Sequence, residues 1–217
     1  MITVFDDTQR SHAPREFIVS GKPKPIPERP ERIDMLMEGV HRLGGPVVAP
    51  PDIFGDTIAL VHDRRYIQFL STLWERWKRL PDAAETPSAN VFALGRPSLP
   101  PTHYPDSVVG QCGWHLGDGS APITSKTWAA ARASAATAAH GAKLVLEGER
   151  IAYALCRPPG HHAAADCRPV TRNPHPYSIL HTLTSIQSSI QSSTQSSTQP
   201  STLRVCLICR PHPHPTT

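Results

Sequence analysis

No run of apolar residues in this chain approaches the roughly 20 that a helix needs to cross a hydrocarbon core, so no membrane partner is expected. The amino terminus, MITVFDDTQR, lacks the basic-then-apolar pattern of a secretory signal, and the five cysteines (Cys112, Cys156, Cys167, Cys206 and Cys209) are odd in number. Both absences point to a reducing intracellular compartment, cytoplasmic or nuclear. Acid is missing from the whole of 168–217: all 18 Asp and Glu lie in 1–167, together with 18 of the 22 Lys and Arg. The first 167 residues therefore carry no formal net charge, and the +4 of the chain belongs to four scattered arginines of the tail, Arg168, Arg172, Arg204 and Arg210. A nucleic-acid surface would concentrate cations on one folded face, so no nucleic-acid partner is expected.

What is present divides the chain in two. Residues 1–167 alternate short apolar runs with helical patterns, whereas 168–217 are rich in Ser, Thr, Gln and Pro and contain a four-residue near-repeat from Ser185 to Pro200. Such a tail buries too little apolar surface to offset an ordering cost of roughly 1–2 kcal/mol per residue, and disorder is expected there. In the first part, Thr3 to Phe5 reads as a strand. A helix should begin near Pro30, with Ile33, Leu36, Met37 and Val40 on one face and Gly44-Gly45 as its stop, and Pro46 to Ala49 suggest a second strand. Asp63 is placed to cap a helix carrying Tyr66, Phe69, Leu70, Leu73, Trp74 and Trp77, an aromatic stripe that reads as core. From Pro81 to Thr127 little periodicity is visible. An alanine-rich helix follows over Thr127 to Glu147, and then a buried strand from Ile151 to Leu155. Strands alternating with helices predict a parallel α/β sheet, with sites at the strand carboxyl ends.

That last strand runs straight into Cys156-Arg157-Pro158-Pro159-Gly160-His161-His162-Ala163. Two prolines fix φ, Gly160 adopts conformations that other residues resist, and two imidazoles follow at once. Such a turn suits proton-transfer chemistry. A Cys156 or Cys167 nucleophile with His161 as base is the alternative, but a thiol at a buried strand end is better read as inert. His62, His103, His115 and His140 read as polar fillers or surface residues. The tail set Cys206, Cys209, His212 and His214 has metal-binding residue types, yet its short spacing and flanking prolines favour chance composition.

Arg157-Pro158-Pro159-Gly160-His161-His162-Ala163 strongly resembles the tandem-histidine motif of the histone deacetylase superfamily. Pro27-Glu28-Arg29-Pro30-Glu31-Arg32-Ile33 is similar to that family's His-Pro-Glu-x-Pro-x-Arg segment, with Pro27 in place of the histidine, and Val61-His62-Asp63 through Phe69-Leu70 resembles a further stretch. Thr72 to Trp77 and Thr127 to Ala131 lean towards the acetylpolyamine amidohydrolase branch. The resemblance covers most of 1–167. It implies an arginase/deacetylase-like parallel sheet flanked by helices, and a zinc-dependent hydrolase that removes acetyl groups from amines, either acetylpolyamines or acetyl-lysine. By position, His161 and His162 match the family's catalytic pair, Arg32 matches an arginine beside its internal channel, and Asp118, in Gly117-Asp118-Gly119-Ser120, falls where the family builds its substrate rim. An ordinary turn aspartate accounts equally well for Asp118.

The family's Asp-x-Asp-x-His zinc-binding segment follows the equivalent of Cys167, where this chain enters its acid-free tail. None of the family's zinc ligands or its tyrosine has a counterpart, so the expectation is an incomplete domain that binds no zinc tightly and is inactive as this chain. A non-catalytic remnant or binding module is the alternative, and a frameshift, retained intron or erroneous gene prediction would explain the junction. An open parallel sheet of this kind is also expected to aggregate through its edge and uncovered face.

Overall fold

The computed structural model describes residues 1–52, 55–92 and 103–160, together with the backbone of 205–206. Its centre is a parallel sheet in the order β4-β1-β5-β6, formed by β1 (Ile2–Val4), β4 (Val47–Val48), β5 (Ala152–Ala154) and β6 (Val205–Cys206). Thr3 pairs with Val47 on one side and with Tyr153 on the other, and Ala152 pairs with Val205. Val205–Cys206 is thus a strand against β5; the expectation of disorder for the rest of 168–217 lies outside the described residues.

Side chains alternate across the sheet, and each face takes its own helix. On one face Phe5, Tyr153 and Leu155 pack with Ile33 and Val40 of α1 (Glu31–Leu43), and Leu36 and Met37 complete the cluster. This is the face predicted from the helical spacing, and Gly44 closes the helix in the left-handed region at φ 67°. On the other face lie α5 (Thr127–Leu146) and a 3-10 helix (Asp7–Ser11). The small residues of α5 permit the close approach: a Cβ built on Gly141 would stand 3.2 Å from that of Ala154.

A second core forms away from the sheet. The helix α3 (Arg64–Trp77), capped by Asp63 through a 2.7 Å bond from Arg65 N, directs Phe69, Leu73 and Trp77 against Val108 and Cys112 of α4 (Val108–His115). α4 lies within the span that showed no clear periodicity. Eight residues offer only two turns, and its packing depends on Gly113 lying against the backbone of Val91, where a Cβ would come within 2.1 Å of the carbonyl oxygen. The short helix α2 (Gly55–Ala59) precedes α3. An antiparallel hairpin, β2 (Glu16–Val19) and β3 (Lys22–Pro25), turns through Ser20 and Gly21 with φ of 52° and 74° and rests on the 117–120 loop, Ile18 N donating to Gly119 O at 3.1 Å. Among the described residues no helix is long and apolar enough to cross a membrane.

Candidate functional site

The carboxyl end of β5 delivers the chain into Cys156, Arg157, Pro158, Pro159 and Gly160, and Arg157 is the anchor of that turn. It is 2% exposed. Its Nε donates to both oxygens of Glu28, at 2.9 and 3.2 Å, and its Nη1 donates to the backbone carbonyl of Gln9 at 2.8 Å. The backbone N–H of Arg157 donates to the side-chain oxygen of Gln9. Burying a guanidinium is tolerable only when it is paired and hydrogen-bonded, and most of its donors are satisfied here. Nη2 alone has no partner among the described residues.

Electrostatics at this point are governed by burial. It pulls the Arg157 guanidinium below the ordinary arginine value, opposed by Glu28, and pushes the Glu28 carboxyl up against the attraction of Arg157 and Arg32. Arg32 Nη1, in the first turn of α1 and four residues on from Glu28, reaches the same carboxylate at 3.1 Å. The structure therefore brings Arg32 to the base of the Arg157 turn, and a narrow cleft is lined by Glu28, Arg32, Leu36, Leu155, Arg157 and Pro159.

Behind Arg157 lies a layer that sequence reasoning missed. Gln9 is fully buried, and its Nε2 donates to Thr137 Oγ1 of α5 at 3.1 Å while Thr137 donates on to Ala133 O at 2.8 Å. His12, at the end of the 3-10 helix, places Nδ1 3.1 Å from Thr127 Oγ1. Desolvation, reinforced by the charge of Arg157, holds its imidazole well below the usual histidine value, at about 4, so it is neutral at physiological pH. Ser134 Oγ lies 3.4 Å from Pro158 O, and Cys156 Sγ lies 3.5 Å from Ser134 O. No local pattern announces Gln9, whose partners lie 128 and 148 positions further along the chain.

Asp118 belongs to the 117–120 loop, on which the β2–β3 hairpin rests. It is an exposed turn aspartate whose Oδ1 accepts from Ser120 N at 2.8 Å and from Ser120 Oγ at 2.6 Å. His115 is buried, stacks on Phe69 with ring centroids 4.7 Å apart and lies 2.8 Å from the hydroxyl of Tyr104, as a polar filler should. Cys156 is half-buried rather than fully enclosed, because it follows the end of β5. His161, His162, Cys167, Cys209, His212 and His214 lie outside the described residues, as does the side chain of Cys206. Among the described residues no group of three or more His, Cys, Asp or Glu is placed to hold a metal ion. The donor set that zinc requires is not offered by these residues, and the metal has no assigned place in them.

The comparisons with known proteins bear on the family and the fold. The acetylpolyamine amidohydrolase of Burkholderia pseudomallei is 39% identical over 167 residues, which is 76% of this chain and 47% of that protein. Acetylpolyamine amidohydrolase 2 of Pseudomonas aeruginosa is 37% identical over 169 residues, again 76% of this chain and 47% of its relative. A crystal structure of the acetylpolyamine aminohydrolase from Burkholderia pseudomallei superposes with a TM-score of 0.73 at 34% identity, covering 87% of this chain and 53% of that one. The chain thus spans about half the length of the curated relatives it matches. The histone deacetylase domain matches residues 26–169, from the Glu28–Arg32 segment through the Arg157 turn, and the chain belongs to that family.

Proposed function

We propose that these residues are the amino-terminal part of an intracellular hydrolase that removes acetyl groups from amines, with acetylpolyamines favoured over acetyl-lysine as substrates. His161 and His162 are its proton-transfer pair. A neutral imidazole accepts the proton of the attacking water, and an imidazolium returns one to the departing amine. The observation that carries this reading is the buried Arg157, which ties the turn before the histidines to Glu28 and Gln9 at the carboxyl end of a parallel strand, where α/β folds place their sites. Arg32 lines the adjoining cleft, and Asp118 is a rim residue.

The zinc on which the family relies is, in this proposal, held by residues other than those described. Because 168–217 contain no Asp or Glu, we further propose that the 217 residues by themselves neither bind zinc tightly nor turn over. The same acid-free tail favours the second reading, a non-catalytic binding module. Acetate release from N-acetylputrescine by the purified chain, with calorimetric zinc titration, tests both. No release and no stoichiometric zinc are expected. Zinc-dependent release abolished by His161→Ala and His162→Ala would overturn the inactivity and eliminate the binding-module reading. Sequencing the transcript across codons 160–175 tests the junction, and an Asp-x-Asp-x-His segment in the true frame would restore the metal site.

A further inference from the structure

Within the turn Arg157-Pro158-Pro159, only Arg157 has a backbone N–H, since both prolines lack one. That single main-chain donor is taken by the side-chain oxygen of Gln9. The other end of the same carboxamide donates to Thr137 of α5, and the backbone carbonyl of Gln9 receives the guanidinium of Arg157. One fully buried residue thus grips the turn by both its main chain and its side chain and braces it against α5, the longest of the described helices. The remaining polar contact to the prolines, Ser134 Oγ to Pro158 O, is long at 3.4 Å.

We propose that Gln9 is a positioning residue for the paired histidines: it fixes the backbone that leads into His161 and His162 without touching substrate. This rests on the reading of those histidines as the proton-transfer pair. A carboxamide suits the task because it offers a donor and an acceptor at once and does not titrate, so the brace has the same form at every pH at which the imidazoles change charge. Catalytic groups must be held within roughly 0.5 Å, and a misplacement of about 1 Å can cost on the order of 100-fold in rate, so a buried support of this type has a kinetic consequence in a complete enzyme.

The test reads the histidines directly and needs no turnover. The imidazole nitrogens of His161 and His162 are titrated by NMR in the full chain and in variants. The two imidazoles are expected to give separate titration curves in the unmutated chain. In Gln9→Leu the separation is expected to be lost, both curves moving towards that of a free imidazole. Gln9→Glu, which keeps an oxygen facing the Arg157 N–H, restores most of it. Thr137→Val preserves volume and removes only the far end of the brace; it carries the test should Gln9→Leu not fold, and partial loss of the separation is expected. Val40→Ala, a core truncation under α1, controls for stability and leaves both curves unchanged. Wild-type curves in folded Gln9→Leu or in Thr137→Val, or histidines that already titrate together at the free value in the unmutated chain, would overturn the proposal. A chain that never releases acetate leaves this test intact, and a failed brace leaves the deacetylation assay intact.

Discussion

Acidification from pH 7.5 to pH 4 should cost this fold stability through one residue, His12. The residue is 6% exposed, its ring faces the Thr127 hydroxyl and feels the charge of the Arg157 guanidinium, so a second positive charge there is penalised by lost hydration and by like-charge repulsion. The folded-state value is about 4 against 6.5 for a free imidazole. Because the folded value is depressed, the contribution is fully present above pH 6.5 and is lost as pH falls towards 4, the unfolded chain binding the extra proton in between. A displacement of about 2.5 units at 1.36 kcal/mol per unit corresponds to about 3 kcal/mol, spread over that window. Urea unfolding followed by tryptophan fluorescence, at pH 7.5, 5.5 and 4, should show wild type losing about 3 kcal/mol more than His12→Asn, which keeps a neutral polar group opposite Thr127. The comparison removes the contributions of carboxylates common to both proteins. Parallel pH profiles for the two, or an imidazole resonance of His12 that titrates near 6.5 in the folded chain, would refute the reasoning.

Arg157→Met should destabilise the fold by about 3 kcal/mol, the lower end of what breaking a buried ion pair costs, because Glu28 retains 19% exposure; a thermal melt measures it, and Arg157→Met/Glu28→Gln should lose less than the two single changes added together. Gly113→Ala forces a methyl against the Val91 carbonyl and should cost about 1–3 kcal/mol, whereas Gly39→Ala, inside α1 with nothing within 4 Å, should gain about 0.5–1 kcal/mol. A denaturant midpoint that moved the same way for both would contradict the packing of α4. Burial pushes the Cys112 thiol up to about 12, so iodoacetamide mapped by mass spectrometry should leave Cys112 unmodified at pH 8 until urea unfolds the chain.

Much of the architecture was legible because its signals are local. Ile33, Leu36, Met37 and Val40 recur at helical spacing and pack as one stripe on Phe5, Tyr153 and Leu155; Asp63 caps α3 by a bond two residues long; and Gly44 stops α1 where the Gly44-Gly45 pair was expected to end it. β5 is shorter than its apolar run, since Ile151 lies 42% exposed before it, while Leu155, whose N–H still donates to Val4 O at 3.0 Å, contributes to the core just beyond it. α4 escaped notice because two turns with glycines at 110 and 113 leave too little periodicity to detect, and its burial is decided by α3 and by the 84–92 segment around it.

The site divides along the same line. Sequence alone determined the identity of the Arg157–Ala163 motif and the Glu28–Arg32 segment, because residue type and spacing are properties of the chain. Tertiary structure alone decided that Arg157 and Arg32 share the Glu28 carboxylate, that Asp118 caps its own turn, and that Gln9 and His12 stand behind Arg157. The reason is physical: a buried polar group must find its partner wherever the fold brings one, and the partners of Gln9 lie more than a hundred residues away, across a sheet and a helix that no local pattern connects.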